Sequence, residues 1–296
     1  MKILIIGSQG FIGSNCLKYF QSDNNVFCCD ITGMNEKNYL QIDYNNPDFD
    51  LIFQKNQPDV CINASGSGDV GFSFKYPEKD FILNVKNVQG ILDAIKKYSP
   101  FCKMINFSSA AVYGNPKQLP VNESAETNPL SPYGKHKLES EKLLKHYHDE
   151  YKLKTCSLRV FSAYGAGLKK QLFWNIYEKI NQTKKINLFG TGNESRDFIY
   201  VDDLMRAIDC IIKKNEFDGE PINVSSGVES FIHYAAQYFI SLYGSEYILE
   251  FSGEEKKGDP KNWKADISKL RKLGFAPFIT FEEGIRKYFE WLKKSK

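Results

Sequence analysis

The chain has 296 residues, which is enough for one large α/β domain or two closely packed ones. Its composition is that of a globular protein, with 42% hydrophobic and 25% charged residues, and its net charge of +3 is too small to indicate binding to nucleic acid or to a membrane surface. The seven cysteines and four histidines show no metal-ligand spacing and no paired cysteine motif. We therefore predict reduced thiols, a cytoplasmic location, no metal site, and no membrane or nucleic-acid partner.

Short apolar runs alternate with amphipathic segments through the first half of the chain. The predicted strands cover residues 2–6, 25–29, 60–64, 103–108 and 155–160, and the predicted helices cover residues 11–20, 80–98 and 133–151. Strands that alternate with helices form right-handed βαβ units around a parallel sheet. The sequence therefore predicts an α/β fold built on a parallel sheet.

The pattern is less regular after residue 166. A helix is predicted over residues 172–180, a strand near 186–189, and a further helix after Asp202. These mixed elements predict a smaller α/β lobe. We expect a first domain over residues 1–165, to which part of residues 186–215 returns, and a second lobe over residues 166–296.

A glycine-rich loop joins the first predicted strand to the first predicted helix, with the spacing Gly-x-x-Gly-x-x-Gly over residues 7–13. Glycines at this point let the backbone turn sharply and approach a pyrophosphate, which then lies at the helix N-terminus. An ordinary tight turn is the alternative, but the order of strand, glycines and helix favours a dinucleotide. The residues predicted to hold it are Gly7, Gly10, Phe11, Ile12 and Gly13.

A carboxylate, Asp30, ends the second predicted strand. It can accept hydrogen bonds from the adenosine ribose and would repel a 2′-phosphate, which favours NAD over NADP. Alternatively, Asp30 is a turn residue that only ends the strand. Asp43 stands where a third short strand would bring a carboxylate to the adenine.

Tyr133 and Lys137 are four residues apart at the start of a predicted helix, so their side chains lie on one face. Two hydroxyls, those of Ser108 and Ser109, follow the buried strand that precedes this helix. A phenol, an ammonium and a hydroxyl held together can move a proton on and off an alcohol or carbonyl oxygen. Alternatively, Tyr133 is an aromatic residue at the start of a helix that only packs on the core.

In these motifs and their order the chain resembles the extended short-chain dehydrogenase/reductase family, which contains the NAD-dependent nucleotide-sugar epimerases and dehydratases. The resemblance runs nearly from end to end. The segments that carry it are residues 7–13, 63–65, 84–85, 108–114, 133–137, 159–165, 190–203, 257–260 and 265–269.

The resemblance implies a Rossmann-type doubly wound sheet and roles for the three polar residues. Tyr133 would be the acid/base, Lys137 would hold the nicotinamide ribose and lower the pKa of the phenol, and Ser109 would share the hydrogen bond to the reacting sugar oxygen. The further cofactor-binding residues that it implies are Ala64, Ser65 and Asn84.

The resemblance also implies a nucleotide-diphosphate sugar as substrate, bound in the cleft beyond the carboxyl ends of the strands. Arg196 matches the arginine that grips the diphosphate; an ion pair with a neighbouring aspartate is the alternative. Lys256 lies where the family commonly has an arginine, and Ser162 lies where many members have an asparagine. We predict that Ser109, Ser162, Arg196 and Lys256 bind the substrate.

Two alanines after Ser109 narrow the predicted reaction. The related dehydratases have Asp-Glu at the positions of Ala110 and Ala111, and decarboxylating relatives have Glu at the position of Ala111. Methyl groups cannot carry protons, so these reactions are not expected. An NAD-dependent 4-epimerase is favoured because Asp30 favours NAD. The alternatives are an NAD(P)H-dependent 4-ketoreductase, a 4-dehydrogenase, and a non-catalytic NAD-binding regulator, which would usually lack the Tyr or the Lys.

The predicted helices over residues 80–98 and 133–151 carry apolar residues on more than one face. In the family, two such helices from each subunit form a four-helix dimer interface, so we expect a homodimer. Burial against the chain's own sheet is the alternative. The apolar residues concerned are Ile91, Leu92, Ile95, Leu143 and Leu144.

Overall fold

The computed structural model describes residues 1–295. The strands are, in chain order, β1 (Lys2–Ile6), β2 (Asn25–Asp30), β3 (Tyr39–Gln41), β4 (Val60–Asn63), β5 (Lys103–Ser109), β6 (Lys154–Val160), β7 (Ser162–Tyr164), β8 (Lys185–Leu188), β9 (Ser195–Tyr200), β10 (Asp218–Val224), β11 (Glu229–Phe231) and β12 (Ile248–Phe251). The helices are α1 (Phe11–Phe20), α2 (Phe49–Asn56), α3 (Val70–Lys75), α4 (Pro77–Phe81), α5 (Asn87–Tyr98), α6 (Pro132–Tyr151), α7 (Gln171–Ile180), α8 (Val201–Lys214), α9 (Ile232–Ser241), α10 (Ser268–Lys272) and α11 (Phe281–Lys294).

A seven-stranded sheet in the order β10-β6-β5-β4-β1-β2-β3 forms the centre of the protein, and all its neighbouring strands are parallel. The strand order reverses between β1 and β4, which is the topological switch point of a doubly wound fold. The predicted α/β fold with a parallel sheet is therefore confirmed.

Strand β1 shows why the sheet is covered on both faces. Ile3 and Ile5 enter a core that α1 and α8 share, whereas Leu4 and Ile6 enter the core under α2, α5 and α6. Successive side chains of a strand point to opposite faces, so a strand buried on both sides is apolar throughout.

One predicted helix differs from the structure. The segment expected as a single helix over residues 80–98 consists of the short α4, one π-helical turn over Ile82–Lys86, and α5. A π turn inserts an extra residue into the helical ladder and commonly occurs at functional sites. Amphipathic periodicity does not reveal it, because the segments on either side keep the apolar spacing of a helix.

The second half of the chain forms two small sheets and also adds one strand to the central sheet. A three-stranded sheet has the order β11-β9-β7, β8 pairs with β12, and β10 joins the edge of the central sheet next to β6. Helix α8 packs against α1 and leads into β10. The division at residue 165 stays a prediction.

Within residues 1–295, none of the helices combines the length and the apolarity that crossing a membrane requires.

Candidate active site

Tyr133 lies in the first turn of α6, at the carboxyl end of the central sheet. The hydroxyl of Ser131 caps this helix by accepting a hydrogen bond from the amide of Gly134 at 3.1 Å, and Pro132 occupies the first helical position. Glycine at position 134 allows the close approach, because a Cβ there would lie 2.8 Å from the carbonyl oxygen of Ala111. The start of α6 therefore packs directly on the turn that follows β5.

That turn presents Ser109 to Tyr133. Ser109 is the last residue of β5, and its Oγ accepts a hydrogen bond of 3.1 Å from the amide of Ala111. The hydroxyl of Ser109 is also close enough to Tyr133 for a side-chain hydrogen bond between them to lower the pKa of the phenol. Ala110 is buried and Ala111 is half-buried in the same 3-10 turn. The side chains of this turn therefore contain no proton donor or acceptor that could act beside Ser109 and Tyr133.

Lys137 completes the group. Its Nζ donates a hydrogen bond of 2.8 Å to the carbonyl oxygen of Phe107 and lies 5.8 Å from the centre of the Tyr133 ring. The side chain is buried. The structure thus brings together the three residues for which the sequence predicted a catalytic role.

Burial is the largest influence on the pKa values of Tyr133 and Lys137. Burial raises the pKa of the Tyr133 phenol. The hydrogen bond with Ser109 lowers this pKa, and the negative charge of Asp80 raises it further. Burial lowers the pKa of Lys137 to about 8, against the opposing effect of Asp80 and Glu141. The phenol is therefore a poor base by itself, and positive charge close to it would favour the phenolate.

A buried polar network fixes the strand behind this group. Glu141, one turn after Lys137 on α6, pairs with Arg159 of β6 at 2.7 Å and accepts a hydrogen bond from Ser108. Arg159 also donates to the hydroxyl of Tyr113 at 2.9 Å, and Tyr113 donates to Asn223 of β10 at 2.7 Å. The network joins α6, β5, β6 and β10 at the end of the sheet where Ser109 lies.

The glycine loop has the geometry that a pyrophosphate needs. Gly7 has φ +83°, and a Cβ there would lie 2.7 Å from the amide nitrogen of Ser65. A Cβ at Gly13 would lie 2.0 Å from the carbonyl oxygen of Gly7. Gly10, the residue before α1, forms no side-chain cap, so the first amides of this helix are available to an anion.

Asp30 lies beside this loop. Its Oδ2 accepts a hydrogen bond of 2.9 Å from the amide of Gln9 and its Oδ1 one of 3.1 Å from the amide of Thr32. The carboxylate is thus fixed at the end of β2, at the position where it can meet a ribose. Asp43 is exposed after β3 and accepts a hydrogen bond from the amide of Asn45 at 2.8 Å.

The side-chain amide of Asn84 is a candidate ligand-binding group. It is buried in the π-helical turn, and both atoms of its side-chain amide lack a hydrogen-bond partner among residues 1–295. A Cβ on Gly66 would lie 2.6 Å from its Oδ1, so it borders the turn after β4 that contains Ala64 and Ser65. A buried amide without partners is costly, and the polar groups of NAD fit this demand.

Arg196 lies half-buried on β9, with its guanidinium 5.4 Å from the centre of the Trp263 ring. Burial lowers the pKa of this guanidinium, while Asp259 and Glu194 raise it. Lys256 is exposed and pairs with the same Asp259 at 3.7 Å. The structure therefore brings Arg196 and Lys256 to one acidic residue.

Within residues 1–295, Arg196 forms no ion pair with Asp197, Asp202 or Asp203, the neighbouring aspartates in the sequence. The Asp197 carboxylate is occupied by Ser225, by the Ser226–Gly227 turn and by the amide of Ala265. Asp203 pairs with Arg206 at 2.9 Å, and Asp202 pairs with Lys287 at 3.5 Å. Arg196 instead donates to the carbonyl oxygens of Ser195 and Lys261.

Ser162 begins β7 and is half-buried. It pairs in register with Phe198 of β9, two residues beyond Arg196. The same small sheet therefore carries two of the four predicted substrate residues, Ser162 and Arg196.

Sequence reasoning missed Trp263, which links the two parts of the site. Its Nε1 donates a hydrogen bond of 3.0 Å to the carbonyl oxygen of Gly114, at the end of the segment that starts with Ser109, while its ring packs on Arg196. A lone tryptophan in an irregular stretch carries no spacing signal. Gly134 was also missed as a packing residue, although a glycine in the first turn of a helix is a signal of close approach.

Comparison with known proteins agrees with this geometry. A model of the NAD dependent epimerase/dehydratase family matches residues 3–225. The UDP-glucuronate 4-epimerase of Thermodesulfobacterium geofontis is 28% identical over 262 residues, which cover 87% of this chain and 80% of that protein.

Two solved structures are similar over the whole chain. The UDP-glucuronic acid 4-epimerase of Bacillus cereus, in complex with UDP-glucuronic acid and NAD, is 27% identical with a TM-score of 0.91 and covers 100% of both chains. The UDP-N-acetylglucosamine 4-epimerase of Methanobrevibacter ruminantium, in complex with UDP-N-acetylmuramic acid, is 26% identical with a TM-score of 0.89 and covers 100% of this chain and 99% of that one.

These findings confirm the predicted Rossmann-type fold, the enzyme class and NAD as the cofactor. The match covers the glycine loop, Asp30, Ser109, Tyr133 and Lys137 in one continuous stretch. The chain belongs to the NAD dependent epimerase/dehydratase family.

Proposed function

We propose that this protein is an NAD-dependent nucleotide-sugar 4-epimerase. The observation that carries the proposal is the joint placement of Ser109, Tyr133 and Lys137 beside a turn whose other side chains are those of Ala110 and Ala111. One proton relay without a second acid or base suits a reaction at a single carbinol carbon. It does not suit the loss of water or of a carboxyl group from neighbouring carbons.

The proposed cofactor-binding residues fall into groups, each of which would bind a different part of NAD. The glycine loop and the N-terminus of α1 would hold the pyrophosphate, Asp30 the adenosine ribose, and Asn84 and Lys137 the nicotinamide end. Asp43, Ala64 and Ser65 complete the proposed set. NAD, when bound, supplies the hydride acceptor and donor.

Tyr133 would accept the proton of the C4 hydroxyl as a ketone forms at C4, and would return it when the opposite face is reduced. Ser109 would donate a hydrogen bond to the same oxygen and keep it beside the phenol. The Lys137 ammonium lowers the cost of a phenolate in this buried place, because opposite charges at close range favour each other. Turning of the ketone within the pocket would exchange the faces of C4.

Arg196 and Lys256 would bind the diphosphate of the substrate. A guanidinium offers two parallel donors to phosphate oxygens, whereas a lysine contributes one point charge. The charge of Asp259 acts on both cations, so the diphosphate would compete with this carboxylate for them. The relatives that turn over or bind UDP-sugars support a UDP-hexose as the substrate class.

Dimerisation remains a proposal that rests on the family. Ile91, Leu92, Ile95 and Leu144 are fully buried against the chain's own sheet, so they do not supply an apolar outer face. Size-exclusion chromatography with light scattering would measure the mass directly, and a mass near 34 kDa, that of one chain, would contradict a homodimer. We also propose a cytoplasmic location, which the free thiols of all seven cysteines support.

The experiment that tests the function starts from purified protein. The bound nucleotide is released by denaturation, identified and assigned a redox state, and UDP-hexoses are then supplied without added cofactor. Retained NAD and a 4-epimer without net NADH formation would support the proposal. Stoichiometric oxidation of NADH or NADPH on a 4-keto sugar nucleotide would make the protein a reductase.

A further inference from the structure

The indole of Trp263 lies between the arginine predicted to bind the diphosphate and the turn that follows β5. Trp263 is buried, with an exposed fraction of 9%. Its Nε1 donates a hydrogen bond of 3.0 Å to the carbonyl oxygen of Gly114, and its ring centre lies 5.4 Å from the guanidinium carbon of Arg196. The ring of Phe161 packs edge-on against the indole, with the ring centres 5.9 Å apart. One side chain therefore contacts both segments.

The turn itself links Gly114 to the hydroxyl of Ser109. The amide of Gly114 donates a hydrogen bond of 3.3 Å to the carbonyl oxygen of Ala111, and the amide of Ala111 donates one of 3.1 Å to Oγ of Ser109. Gly114 has φ +63°, and a Cβ there would lie 2.0 Å from the carbonyl oxygen of Asn128, so this turn is closely packed. A displacement of the Gly114 carbonyl would consequently move Ser109.

The backbone of Trp263 also helps to hold Arg196. The carbonyl oxygen of Ser195 accepts hydrogen bonds from the amide of Trp263 at 3.2 Å and from Nη1 of Arg196 at 2.8 Å. Nη1 also donates to the carbonyl oxygen of Lys261 at 3.2 Å, whereas Nε and Nη2 have no hydrogen-bond partner among residues 1–295. The guanidinium is thus fixed by two carbonyl oxygens and by the indole ring, and it keeps donors for a phosphate.

Packing alone does not account for this arrangement. A buried tryptophan usually finds a hydrogen-bond acceptor for its N–H, and any backbone carbonyl would serve. Here the acceptor ends the segment that starts with Ser109, and the ring is the one over which Arg196 lies. Trp291 offers the contrast, because its ring stacks on Tyr288 of its own helix, α11.

We propose that Trp263 is a positioning residue, whose indole holds the guanidinium of Arg196 at a fixed separation from the turn that carries Ser109. This inference rests on the proposed function, in which Arg196 binds the diphosphate. The diphosphate of a nucleotide sugar is attached at C1, and C4 lies on the opposite side of the pyranose ring. A fixed separation between the phosphate ligand and the hydroxyl therefore places C4 beside Ser109 and Tyr133, as the orientation of a reacting group requires.

The contact between the ring and Arg196 is tested by isothermal titration calorimetry with UDP, on the purified protein with its bound cofactor. Trp263→Leu is expected to weaken the binding of UDP by about three- to tenfold, because the cation–π contact is lost. In an Arg196→Met background the same substitution is expected to change the affinity by less than about twofold, since the partner of the ring is gone. Equal losses in both backgrounds would overturn the proposal, because Trp263 would then not act through Arg196.

The hydrogen bond to Gly114 is tested separately by Trp263→Phe, which keeps an aromatic ring and removes the Nε1 donor. The carbonyl oxygen of Gly114 then lacks a partner in a buried place. We expect kcat per bound NAD to fall by about tenfold, while the affinity for UDP stays within about twofold of the wild-type value. A merely structural role would lower the NAD content and the stability without this split between kcat and binding.

Trp291→Phe is the matched control, and its kcat and its affinity for UDP are expected to stay near those of the wild type. An unchanged kcat per bound NAD in Trp263→Phe would contradict the coupling to Ser109. The same fall in kcat in both variants would also contradict it, because the effect would then not be specific to Trp263.

An NMR measurement on the wild type keeps the inference testable if Trp263→Leu does not fold. Protein labelled with ¹⁵N at tryptophan gives three indole N–H signals, and Trp263→Phe identifies that of Trp263. UDP is expected to shift the Trp263 signal and to leave that of Trp291 in place, because only the first indole contacts Arg196. A Trp263 signal that does not move when UDP binds would overturn the inference.

The UDP titration also separates this inference from the proposed function. If the wild type bound no UDP, the inference and the proposed substrate class would both be refuted. If UDP bound with the expected shift and no UDP-hexose were epimerised, the proposed reaction would be refuted, and the link between Trp263 and Arg196 would stand.

Discussion

Nζ of Lys137 donates a hydrogen bond to the carbonyl oxygen of Phe107 over 2.8 Å, and this bond ties α6 to β5. Strand β5 carries Ser109 two residues further on, and α6 carries Tyr133 one turn earlier. The lysine therefore does more than supply charge: it holds the two catalytic segments in one register. Removing it affects geometry, electrostatics and stability together.

Replacing Tyr133 by Phe removes the phenolic oxygen and keeps the ring. We expect kcat to fall by about 10²- to 10⁴-fold, the usual contribution of a general acid/base, with bound NAD retained. Tyr147→Phe is the matched control on the same helix, since the hydrogen bonds that it loses, to Asp93 and Gln89, lie on α5. Comparable activity in the two variants would refute the role of Tyr133.

Replacing Lys137 by Met changes how stability depends on pH. The pKa of Lys137 is lowered from 10.5 to about 8 in the folded state, so between these values the unfolded chain binds more protons than the folded one. Stability from this group therefore rises with pH across that window, by about 2 kcal/mol between pH 7.5 and 9.5.

Urea unfolding of the wild type and of Lys137→Met at these two pH values measures the effect. The wild type is expected to gain stability relative to the variant at the higher pH, and activity of the variant is expected to be lost at both. A difference between the two proteins that does not change with pH would show that Lys137 titrates normally.

Arg196→Lys keeps the positive charge and loses the planar fork. We expect KM for the nucleotide sugar to rise about tenfold with a smaller change in kcat, because the lost contact is made to the non-reacting diphosphate. Arg206→Lys is the control, since Arg206 pairs with Asp203 on α8. An unaltered KM for Arg196→Lys would remove Arg196 from the diphosphate site.

Asp30→Asn neutralises the carboxylate beside the glycine loop and leaves an oxygen to accept the amide of Gln9. We expect weaker binding of NAD and a rise of at least about tenfold in the preference for NADP, since the repulsion of a 2′-phosphate is lost. Asp59→Asn is the control, because Asp59 likewise accepts a backbone amide, that of Lys2, at the other end of the sheet. Titration calorimetry with NAD and with NADP gives the ratio of the two dissociation constants.

Much of the first half of the fold could be predicted, because its signals are local. The apolar run of β1, the glycine loop and the helix after it form one pattern, and the structure places β1 and α1 at the predicted bounds. The helix predicted over residues 133–151 is α6, which begins one residue earlier, at Pro132. Local periodicity therefore locates the catalytic helix within a residue.

The rest depended on contacts between distant segments. The place of β10 beside β6 and the contact of Trp263 with Gly114 join parts of the chain that share no local pattern. The π-helical turn around Asn84 and the pairing of Asp80 with His136 depend on packing between helices. Spacing indicates which residues share a face of one element, but not which element lies opposite.

The most direct test of the central claim is the fate of hydrogen at C4. UDP-glucose, UDP-N-acetylglucosamine and UDP-glucuronic acid, each with deuterium at C4, are incubated with the purified protein without added cofactor, and the products are analysed by NMR and mass spectrometry. We predict a 4-epimer of at least one of them with deuterium retained at C4. Absence of any epimer, or an epimer that has lost its deuterium to solvent, would contradict oxidation and re-reduction at C4.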